Sequence, residues 1–275
     1  MTDTAEARRF YAALLASRAG SADPRIERAF AAVPRENFLG PGPWPVVAGK
    51  GVVMTPSADP AYIYRNALVA LDADKGINNG EPLLHAMWMA KAAPRPGGTV
   101  CHIGAGTGYY TALLSLLVSP GGIVTALEIE PELAARAARN LVAYPGVKLV
   151  HGDAVTFDLP QSDLVYVNAG IAAPPPGWLA ALAPGGRLVF PWRPTENVAF
   201  AVLVTRTDAG LACEAFMRAW FIPCAGAAEA GDAALLPTRE TAAKIRSLWP
   251  KADREPDGSA VAVFEHVWFS SQALP

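Results

Sequence analysis

Along the middle of the chain, short apolar runs typical of strands alternate with segments in which apolar residues have helical spacing. Short buried runs typical of strands cover residues 99–103, 123–128, 147–151, 164–168 and 187–191. Segments with helical spacing lie around them, at residues 82–92, 109–118, 131–142 and 178–182. Strands that alternate with helices form βαβ units, so the pattern predicts an α/β fold with a mostly parallel sheet flanked by helices. The carboxyl ends of such strands share one edge, where ligands bind.

Two helices are predicted ahead of this core. Residues 5–16 have helical spacing, and residues 23–32 follow with Asp23 as a cap and Pro24 at the first helical position. The spacing places three apolar side chains of the first helix on one face, namely Phe10, Leu14 and Leu15. Residues 40–51 are rich in glycine and proline, and we expect them to be irregular.

Four further segments are predicted after the core. They are two apolar runs at 198–205 and 212–222, a polar helix at 238–248 and a strand at 260–269. The first two can extend the sheet. The chain is therefore expected to have three parts: a helical cap and loop at 1–85, a cofactor-binding core at 86–205, and a C-terminal extension at 206–275.

The strand at 99–103 runs directly into a glycine-rich loop at 104–108, and a helix starts immediately afterwards. Glycine lets the backbone turn sharply and lets a ligand approach closely, while the helix N-terminus offers N–H groups. A dinucleotide-binding loop needs a small residue where Tyr109 stands, and no Gly-Lys-Ser/Thr follows as in a P-loop. The G-x-G-x-G spacing instead matches loops that bind S-adenosylmethionine. The expected cofactor-binding residues of this loop are Gly104, Ala105, Gly106 and Gly108.

The ends of two further strands supply the remaining parts of a nucleoside site. Glu128 ends one strand about 24 residues after the first loop glycine, and Ile129 follows it. An acid at this position can accept hydrogen bonds from both ribose hydroxyls. After the next strand, Asp153 is expected to accept from the adenine amine and Ala154 N–H to meet a ring nitrogen. The three strand ends together predict a site for S-adenosylmethionine.

Composition narrows the class of protein. The 275 residues are 52% hydrophobic with a formal net charge of −2 and a pI near 6.1, so we expect no nucleic-acid partner. No apolar run approaches the roughly 20 residues of a membrane span, and we expect no membrane partner. Three cysteines without metal-like spacing predict no metal site and a reduced, cytoplasmic setting. The oligomeric state is open.

The chain resembles the protein-L-isoaspartate O-methyltransferase family from about residue 24 to about residue 192. The resemblance rests on residues 25–38 (RIERAFAAVPRENF), the loop at 104–108 with Tyr109 after it, Leu127-Glu128-Ile129, Gly152-Asp153, and LAPGGRLV at 182–189. It implies a Rossmann-like class I methyltransferase fold and S-adenosylmethionine as cofactor. It also implies methyl transfer to the α-carboxyl group of isoaspartyl residues.

Two positions depart from this family. Its members carry a Ser/Thr-rich loop whose hydroxyls touch substrate and cofactor, and here that loop reads GINNGEP at 76–82, with Gly80 where the serine falls. Since Asn78, Asn79 and Gly80 replace a binding loop, we expect them to bind the substrate. The second departure is His102, which stands where an acid usually ends the first strand. We expect His102 to be structural and neutral.

The expected methyl acceptor is a carboxylate, either of a peptide or protein or of a small molecule. A carboxylate is already ionised at neutral pH and needs no general base. A base within hydrogen-bond reach would help a hydroxyl or amine, and the candidates are Glu81 and His85, four residues apart on one helix. A small-molecule O- or N-methyltransferase and a cofactor-binding regulator without catalysis are the alternatives.

The end of the fourth predicted strand is expected to line the acceptor side of the site. There Asn168 is predicted to donate an amide hydrogen bond to the acceptor, and the prolines at 174–176 to stiffen the wall. The segment at 220–224, WFIPC, is expected to be part of the core.

Overall fold

The computed structural model describes residues 3–275. Its helices are α1 (Thr4–Arg18), α2 (Pro24–Ala32), α3 (Pro82–Ala92), α4 (Tyr109–Leu117), α5 (Pro131–Asn140), α6 (Pro176–Ala180) and α7 (Arg239–Ala242). Its first seven strands are β1 (Pro45–Ala48), β2 (Gly51–Met54), β3 (Ala70–Asp72), β4 (Ile77–Asn78), β5 (Thr99–Ile103), β6 (Ile123–Glu128) and β7 (Val147–His151). The others are β8 (Ser162–Val167), β9 (Leu182–Thr195), β10 (Val198–Thr207), β11 (Gly210–Arg218), β12 (Ser247–Pro250), β13 (Ala260–Val263) and β14 (Val267–Ser270).

The chain divides into two compact units. One comprises residues up to Gly97 together with Ala105–His151, and the other comprises Gly98–Gly104 together with Gly152–Pro275. Among the helices of residues 3–275, none is both long enough and apolar enough to cross a membrane.

Helices α1 and α2 begin the first unit and pack against each other. The predicted start of α2 is confirmed, because the Asp23 side chain accepts a hydrogen bond from the Arg25 N–H and Pro24 occupies the first turn. The predicted inner face of α1 is wrong in part. Leu15 is buried, but Phe10 is 66% exposed and Leu14 is 47% exposed. The helix is rotated so that Tyr11, beside Leu15, faces the core, where its ring meets aromatic rings of the same unit.

The expectation of irregular backbone at 40–51 is wrong in part, since β1 and β2 form an antiparallel hairpin that begins at Pro45. Valines pair directly across it, Val46 with Val53 and Val47 with Val52. Branched side chains favour this pairing, and Gly49, at φ +62°, supplies the turn. Strands β3 and β4 form a second, smaller hairpin.

The βα pattern predicted for the core is confirmed in the first unit. Strands β6 and β7 have the predicted bounds and pair in parallel, from Val124↔Val147 to Glu128↔His151. Helix α4 contacts both strands, and α5 packs on them as well. This parallel pair holds Glu128 at the end of its strand.

In the second unit the strands run in the order β13-β14-β12-β11-β10-β9-β8-β5. Strands β5, β8 and β9 are parallel, while every neighbouring pair from β9 to β13 in this order is antiparallel. The parallel core strands agree with the predicted α/β fold, whereas the strands that extend the sheet beyond β9 are antiparallel. Only Glu196 and Asn197 connect β9 to β10, and a parallel crossover needs about a dozen residues.

Two predictions for the C-terminal extension are wrong. The helix predicted at 238–248 is only α7, which Thr238 caps, and residues 247–250 form β12 instead. Strand β12 pairs with β11 and β14, and that pairing buries Leu248 in the sheet. The single strand predicted at 260–269 is the hairpin β13–β14, because exposed Glu265 and His266 turn the chain between Val263 and Val267.

Candidate active site

The glycine loop is tied by its backbone to the end of β6. Ala105 N–H donates to the Leu127 carbonyl at 3.0 Å, and Gly106 N–H donates to Glu128 Oε2 at 2.6 Å. Gly108 precedes α4 with φ +96°, and a Cβ at this position would lie 2.9 Å from the Leu141 side chain. Glycine is required at 108 for both reasons, backbone conformation and space.

Glu128 is a buried carboxylate held by backbone donors. It is 6% exposed, and its second oxygen accepts from the Glu130 N–H at 3.0 Å. Burial raises the pKa of Glu128, and the N–H groups of Glu130 and Gly106 counteract this by stabilising the ionised form. Because an ionised carboxylate has about four acceptor positions, Glu128 retains capacity for ligand hydroxyls. The Ile129 carbonyl contacts His151 Nε2 at 3.3 Å.

Thr107 is a candidate that the sequence analysis missed. Its hydroxyl is buried and has no hydrogen-bond partner among the described residues. Its carbonyl accepts from Asn140 Nδ2 at 2.9 Å, which fixes the loop from α5. A polar residue between two glycines of a binding loop is the signal that could have identified it.

The two asparagines predicted to bind substrate both make hydrogen bonds within the protein. Asn78 Oδ1 accepts from the Gly80 N–H at 2.9 Å, which forms a tight turn. Asn79 is buried, its N–H donates to the Val69 carbonyl at 2.8 Å, and its Oδ1 accepts from Arg35 Nε at 3.2 Å. These bonds shape the loop at 76–81 from within.

Arg35 was also missed, although it lies in the family-like segment at 25–38. It is fully buried and donates to the carbonyls of Ile63 at 2.8 Å and Ala67 at 2.7 Å, in addition to Asn79. A guanidinium has five N–H donors in a fixed fork, so it can join several carbonyls where a lysine could not. Arg35 thereby holds residues 63–80 in one conformation.

Gly80, Glu81 and His85 meet at the start of α3. Gly80 has φ +73°, and a Cβ there would lie 2.6 Å from His85 Nε2 and 2.8 Å from Tyr110 Cε2. His85 is 1% exposed, and its ring stacks on Tyr110 with centroids 3.5 Å apart. The Glu81 carboxylate accepts a hydrogen bond from Asn66 Nδ2. The stacked rings of His85 and Tyr110 therefore occupy the space that a side chain at position 80 would need.

In the second unit, His102 and Asn168 lie together at the carboxyl ends of β5 and β8. Asn168 Nδ2 donates to His102 Nε2 at 2.8 Å, which uses one of the two amide N–H groups within the protein, and its predicted contact with the acceptor stays a prediction. Asn168 Oδ1 is buried with no hydrogen-bond partner among residues 3–275. Burial lowers the pKa of His102 to about 3, only partly offset by the Asn168 bond, which keeps the imidazole neutral. A Cβ on Gly104 would lie 3.5 Å from the Asn168 Cβ.

Asp153 and Ala154, predicted to contact adenine, lie in a turn stabilised by α6. Asp153 Oδ1 accepts from the Val155 N–H at 2.8 Å. The Ala154 carbonyl accepts from Trp178 Nε1 at 2.9 Å, and Trp178 is fully buried. This tryptophan was not recognised from the sequence, and it fixes the backbone of the predicted adenine contact.

The segment at 220–224 does not belong wholly to the core. Trp220 is 61% exposed, so the expectation that the whole segment is buried is wrong. The segment is held by its backbone, because Gly170 N–H donates to the Ile222 carbonyl at 2.7 Å and the Gly170 carbonyl accepts from the Cys224 N–H at 2.8 Å. Both hydrogen bonds join main-chain atoms, and the Trp220 side chain is exposed to solvent.

Comparison with known proteins identifies the family. The sequence model of protein-L-isoaspartate(D-aspartate) O-methyltransferase matches residues 50–229. A protein-L-isoaspartate O-methyltransferase of Aeropyrum pernix is 42% identical over 123 residues, covering 42% of this chain and 46% of that protein. Protein-L-isoaspartate O-methyltransferase 2 of an Anaeromyxobacter species is 32% identical over 231 residues, covering 81% of this chain and 84% of that protein. The chain thus spans about half of the first relative and most of the second.

Solved structures agree on the fold. A structure described as protein-L-isoaspartate O-methyltransferase has a TM-score of 0.69 at 22% identity and covers 97% of this chain and 88% of its own. A Plasmodium falciparum protein in complex with S-adenosyl-L-homocysteine has a TM-score of 0.63 at 17% identity, with coverages of 79% and 97%. Both likenesses support the class I methyltransferase fold. The chain belongs to the protein-L-isoaspartate(D-aspartate) O-methyltransferase family, a family of S-adenosylmethionine-dependent methyltransferases.

Proposed function

We propose that the protein transfers the methyl group of S-adenosylmethionine to a carboxylate oxygen of a peptide or protein acceptor. The isoaspartyl α-carboxylate is the first acceptor to test, because the relatives carry that activity in their names. The specific support for a carboxylate acceptor comes from the contacts of the two candidate bases, Glu81 and His85.

The observation that carries this proposal is the packing of His85. Its ring is almost entirely shielded from solvent and stacked on Tyr110, while the Glu81 carboxylate is engaged by Asn66. Transfer to a hydroxyl or a protonated amine is helped by a base within hydrogen-bond reach. A carboxylate, with an ordinary pKa of about 4, needs none at neutral pH. The geometry of α3 therefore favours a carboxylate acceptor over a small-molecule hydroxyl or amine.

The described residues fit the cofactor expected for the family. Glu128 offers acceptor capacity for ribose hydroxyls, and the hydroxyl of Thr107 and Oδ1 of Asn168 are buried polar atoms without partners in the described chain. Because buried polar groups are usually paired, we propose both atoms as candidate ligand contacts. The cofactor contacts that we propose are Gly104, Ala105, Gly106, Gly108, Glu128, Ile129, Asp153 and Ala154.

When bound, S-adenosylmethionine supplies an electrophilic methyl group on a sulfonium. The protein's part is to align the acceptor oxygen with that methyl group and to exclude water. We propose that Asn78 and Gly80 form the acceptor side of the loop at 76–81, with Asn79 supporting them through Arg35. His85 would then hold the shape of this loop instead of moving a proton.

Calorimetric titration with S-adenosylmethionine and S-adenosylhomocysteine tests the cofactor site. We expect Glu128→Ala to weaken both affinities by roughly ten- to a hundredfold, since hydrogen bonds to charged groups contribute about 1.5–3 kcal/mol. Glu132→Ala, which removes an exposed acid from the first turn of α5, is the matched control and should bind normally. Equal binding by wild type and Glu128→Ala would contradict the proposed site.

Methyl transfer is then measured with an isoaspartyl peptide and the aspartyl peptide of the same sequence. A base-labile methyl ester on either peptide supports the proposal and defines the acceptor. Tight cofactor binding without transfer to any carboxylate would reject it, and would favour a regulator that binds the cofactor without catalysis.

A further inference from the structure

Arg193 lies at the sheet edge where ligands of open α/β folds bind. Strands β8 and β9 are parallel, with Tyr166 opposite Val189, so their carboxyl ends share one edge. Arg193 is near the end of β9, and its backbone N–H donates to the Ile171 carbonyl at 2.7 Å. It therefore lies on the same edge as Asn168, three residues before Ile171 in the chain.

The guanidinium of Arg193 rests on an exposed aromatic ring. Its central carbon is 4.0 Å from the centroid of the Trp220 ring, a distance typical of cation–π contact. Nη1 donates to the Phe221 carbonyl, whereas Nε is buried without a hydrogen-bond partner among the described residues. One donor thus fixes the side chain, and a buried donor of the same group has no protein partner.

The backbone beneath Arg193 is adapted to its side chain. A Cβ on Gly170 would lie 2.8 Å from Arg193 Cδ and 3.4 Å from Arg193 Cγ. The φ of Gly170 is not in the left-handed region, so glycine is needed here for space and not for conformation. A side chain at position 170 would therefore force the Arg193 side chain to shift.

We propose that Arg193, supported by Trp220, binds the carboxylate of the methyl acceptor and makes the protein select an ionised carboxylate over a carboxamide or an ester. This inference rests on the proposed function and names its specificity-determining residue. Arg193 presents a partly exposed planar cation at the ligand-binding edge, and a guanidinium is suited to binding a carboxylate. The exposed Trp220 ring adds a flat apolar surface for the adjoining peptide.

The charge balance of the reaction explains why a cation is useful here. One carboxylate oxygen forms a C–O bond to the methyl group with its lone pair, and the C–S bond breaks with its electrons going to sulfur. The negative carboxylate and the positive sulfonium become a neutral ester and a neutral thioether, and no proton moves. Arg193 therefore attracts the substrate but not the ester, which favours product release.

Steady-state kinetics with a carboxylate peptide and inhibition by its carboxamide analogue test this role. For Arg193→Gln we expect KM for the carboxylate peptide to rise about ten- to a hundredfold, and the preference over the carboxamide to disappear. Arg193→Lys should restore part of the preference, because it keeps the charge but not the planar fork. Gly170→Ala should reproduce the KM increase by displacing an intact arginine.

The matched control is Arg218→Gln, which removes an exposed positive charge from the end of β11. We expect its KM, its carboxamide preference and its affinity for S-adenosylhomocysteine to equal those of wild type. The affinity for S-adenosylhomocysteine and the melting temperature of Arg193→Gln should also stay close to wild type, which separates acceptor binding from a general structural role.

Two results would overturn the inference. An unchanged KM and carboxamide preference in Arg193→Gln would show that Arg193 does not contact the acceptor, while leaving the proposed function intact. Parallel losses of cofactor affinity and melting temperature, without a change in preference, would make Arg193 a structural clamp for the 220–224 segment. A wild-type protein that methylates no carboxylate would instead remove the proposed function, and this inference with it.

Discussion

Restoring a serine at position 80 tests whether the His85–Tyr110 stack has replaced a side chain in the loop at 76–81. Gly80 has φ +73°, and its missing Cβ would lie 2.6 Å from His85 Nε2 and 2.8 Å from Tyr110 Cε2. Real Cβ atoms do not approach other heavy atoms so closely. Gly80→Ser must therefore either move the stacked rings or shift the loop backbone.

The expected loss of stability has two parts. A residue with a Cβ in the left-handed region costs about 1–2 kcal/mol, and forcing a group into a packed site costs typically about 1–3 kcal/mol. Gly80→Ser should therefore lower the free energy of unfolding by about 2–5 kcal/mol. In a chain of this size, each kcal/mol lowers the melting temperature by about 2–4 °C, so a decrease of at least about 4 °C is expected.

Thermal and urea denaturation of three variants separate the two parts. Gly76 has φ +67° and no heavy atom within 4 Å of its missing Cβ, so Gly76→Ser should show only the smaller backbone cost. Adding His85→Ala to Gly80→Ser should recover stability relative to the sum of the single changes, because the overlap is removed. A coupling energy of about 0.5–3 kcal/mol is expected for residues in contact.

The reasoning would be refuted by equal losses in Gly80→Ser and Gly76→Ser, combined with additive effects of Gly80→Ser and His85→Ala. That combination would mean that the rings beside Gly80 move away without cost. The glycine would then be explained by backbone conformation alone.

Two further predictions concern buried polar groups. The pKa of His102 falls from its ordinary value near 6.5 to about 3, so the unfolded chain binds a proton that the folded chain does not. The free energy of unfolding should thus fall as pH is lowered from 6.5 toward 3, by up to about 1.4 kcal/mol per pH unit. Urea denaturation at pH 7 and pH 5 measures this dependence, and it should be weaker in His102→Gln. Arg35→Lys should lower the free energy of unfolding by several kcal/mol, because each buried carbonyl that loses its donor costs about 1–3 kcal/mol. Limited proteolysis should then cut this variant within residues 63–80. A variant of Arg35 with wild-type stability and protease resistance would show that this arginine does not hold the loop.

Local pattern was enough to predict the elements around the glycine loop. The bounds of α3, β5, β6 and β7 match the prediction, because each element has a clear hydrophobic period and ends at a glycine, a proline or a cap. The same local signals predicted that the loop at 104–108 runs directly into a helix. The tie between Gly106 N–H and Glu128 follows from these strand ends.

The pattern was insufficient where a segment could bury its apolar face in more than one way. Residues 238–248 have an acceptable helical period, but pairing with β11 and β14 makes 247–250 a strand. In α1, the apolar spacing suits Phe10 and Leu14, yet contact with α2 and α3 selects the face with Tyr11. Tertiary contacts override local preference in such cases because burial contributes more free energy than propensity.

The sequence by itself determined the fold class and the residues expected to bind the cofactor, because these depend on strand ends and on glycines that the backbone requires. Only the tertiary structure decided which side chains use their polar groups internally. Arg35 donates a hydrogen bond to the Asn79 side chain, the Asn168 amide donates one to the His102 ring, and the Tyr110 ring stacks on His85. Each of these pairs joins residues at least 25 positions apart along the chain. No local period encodes such a contact, because a hydrogen bond or a ring stack depends on distances that exist only after the chain has folded.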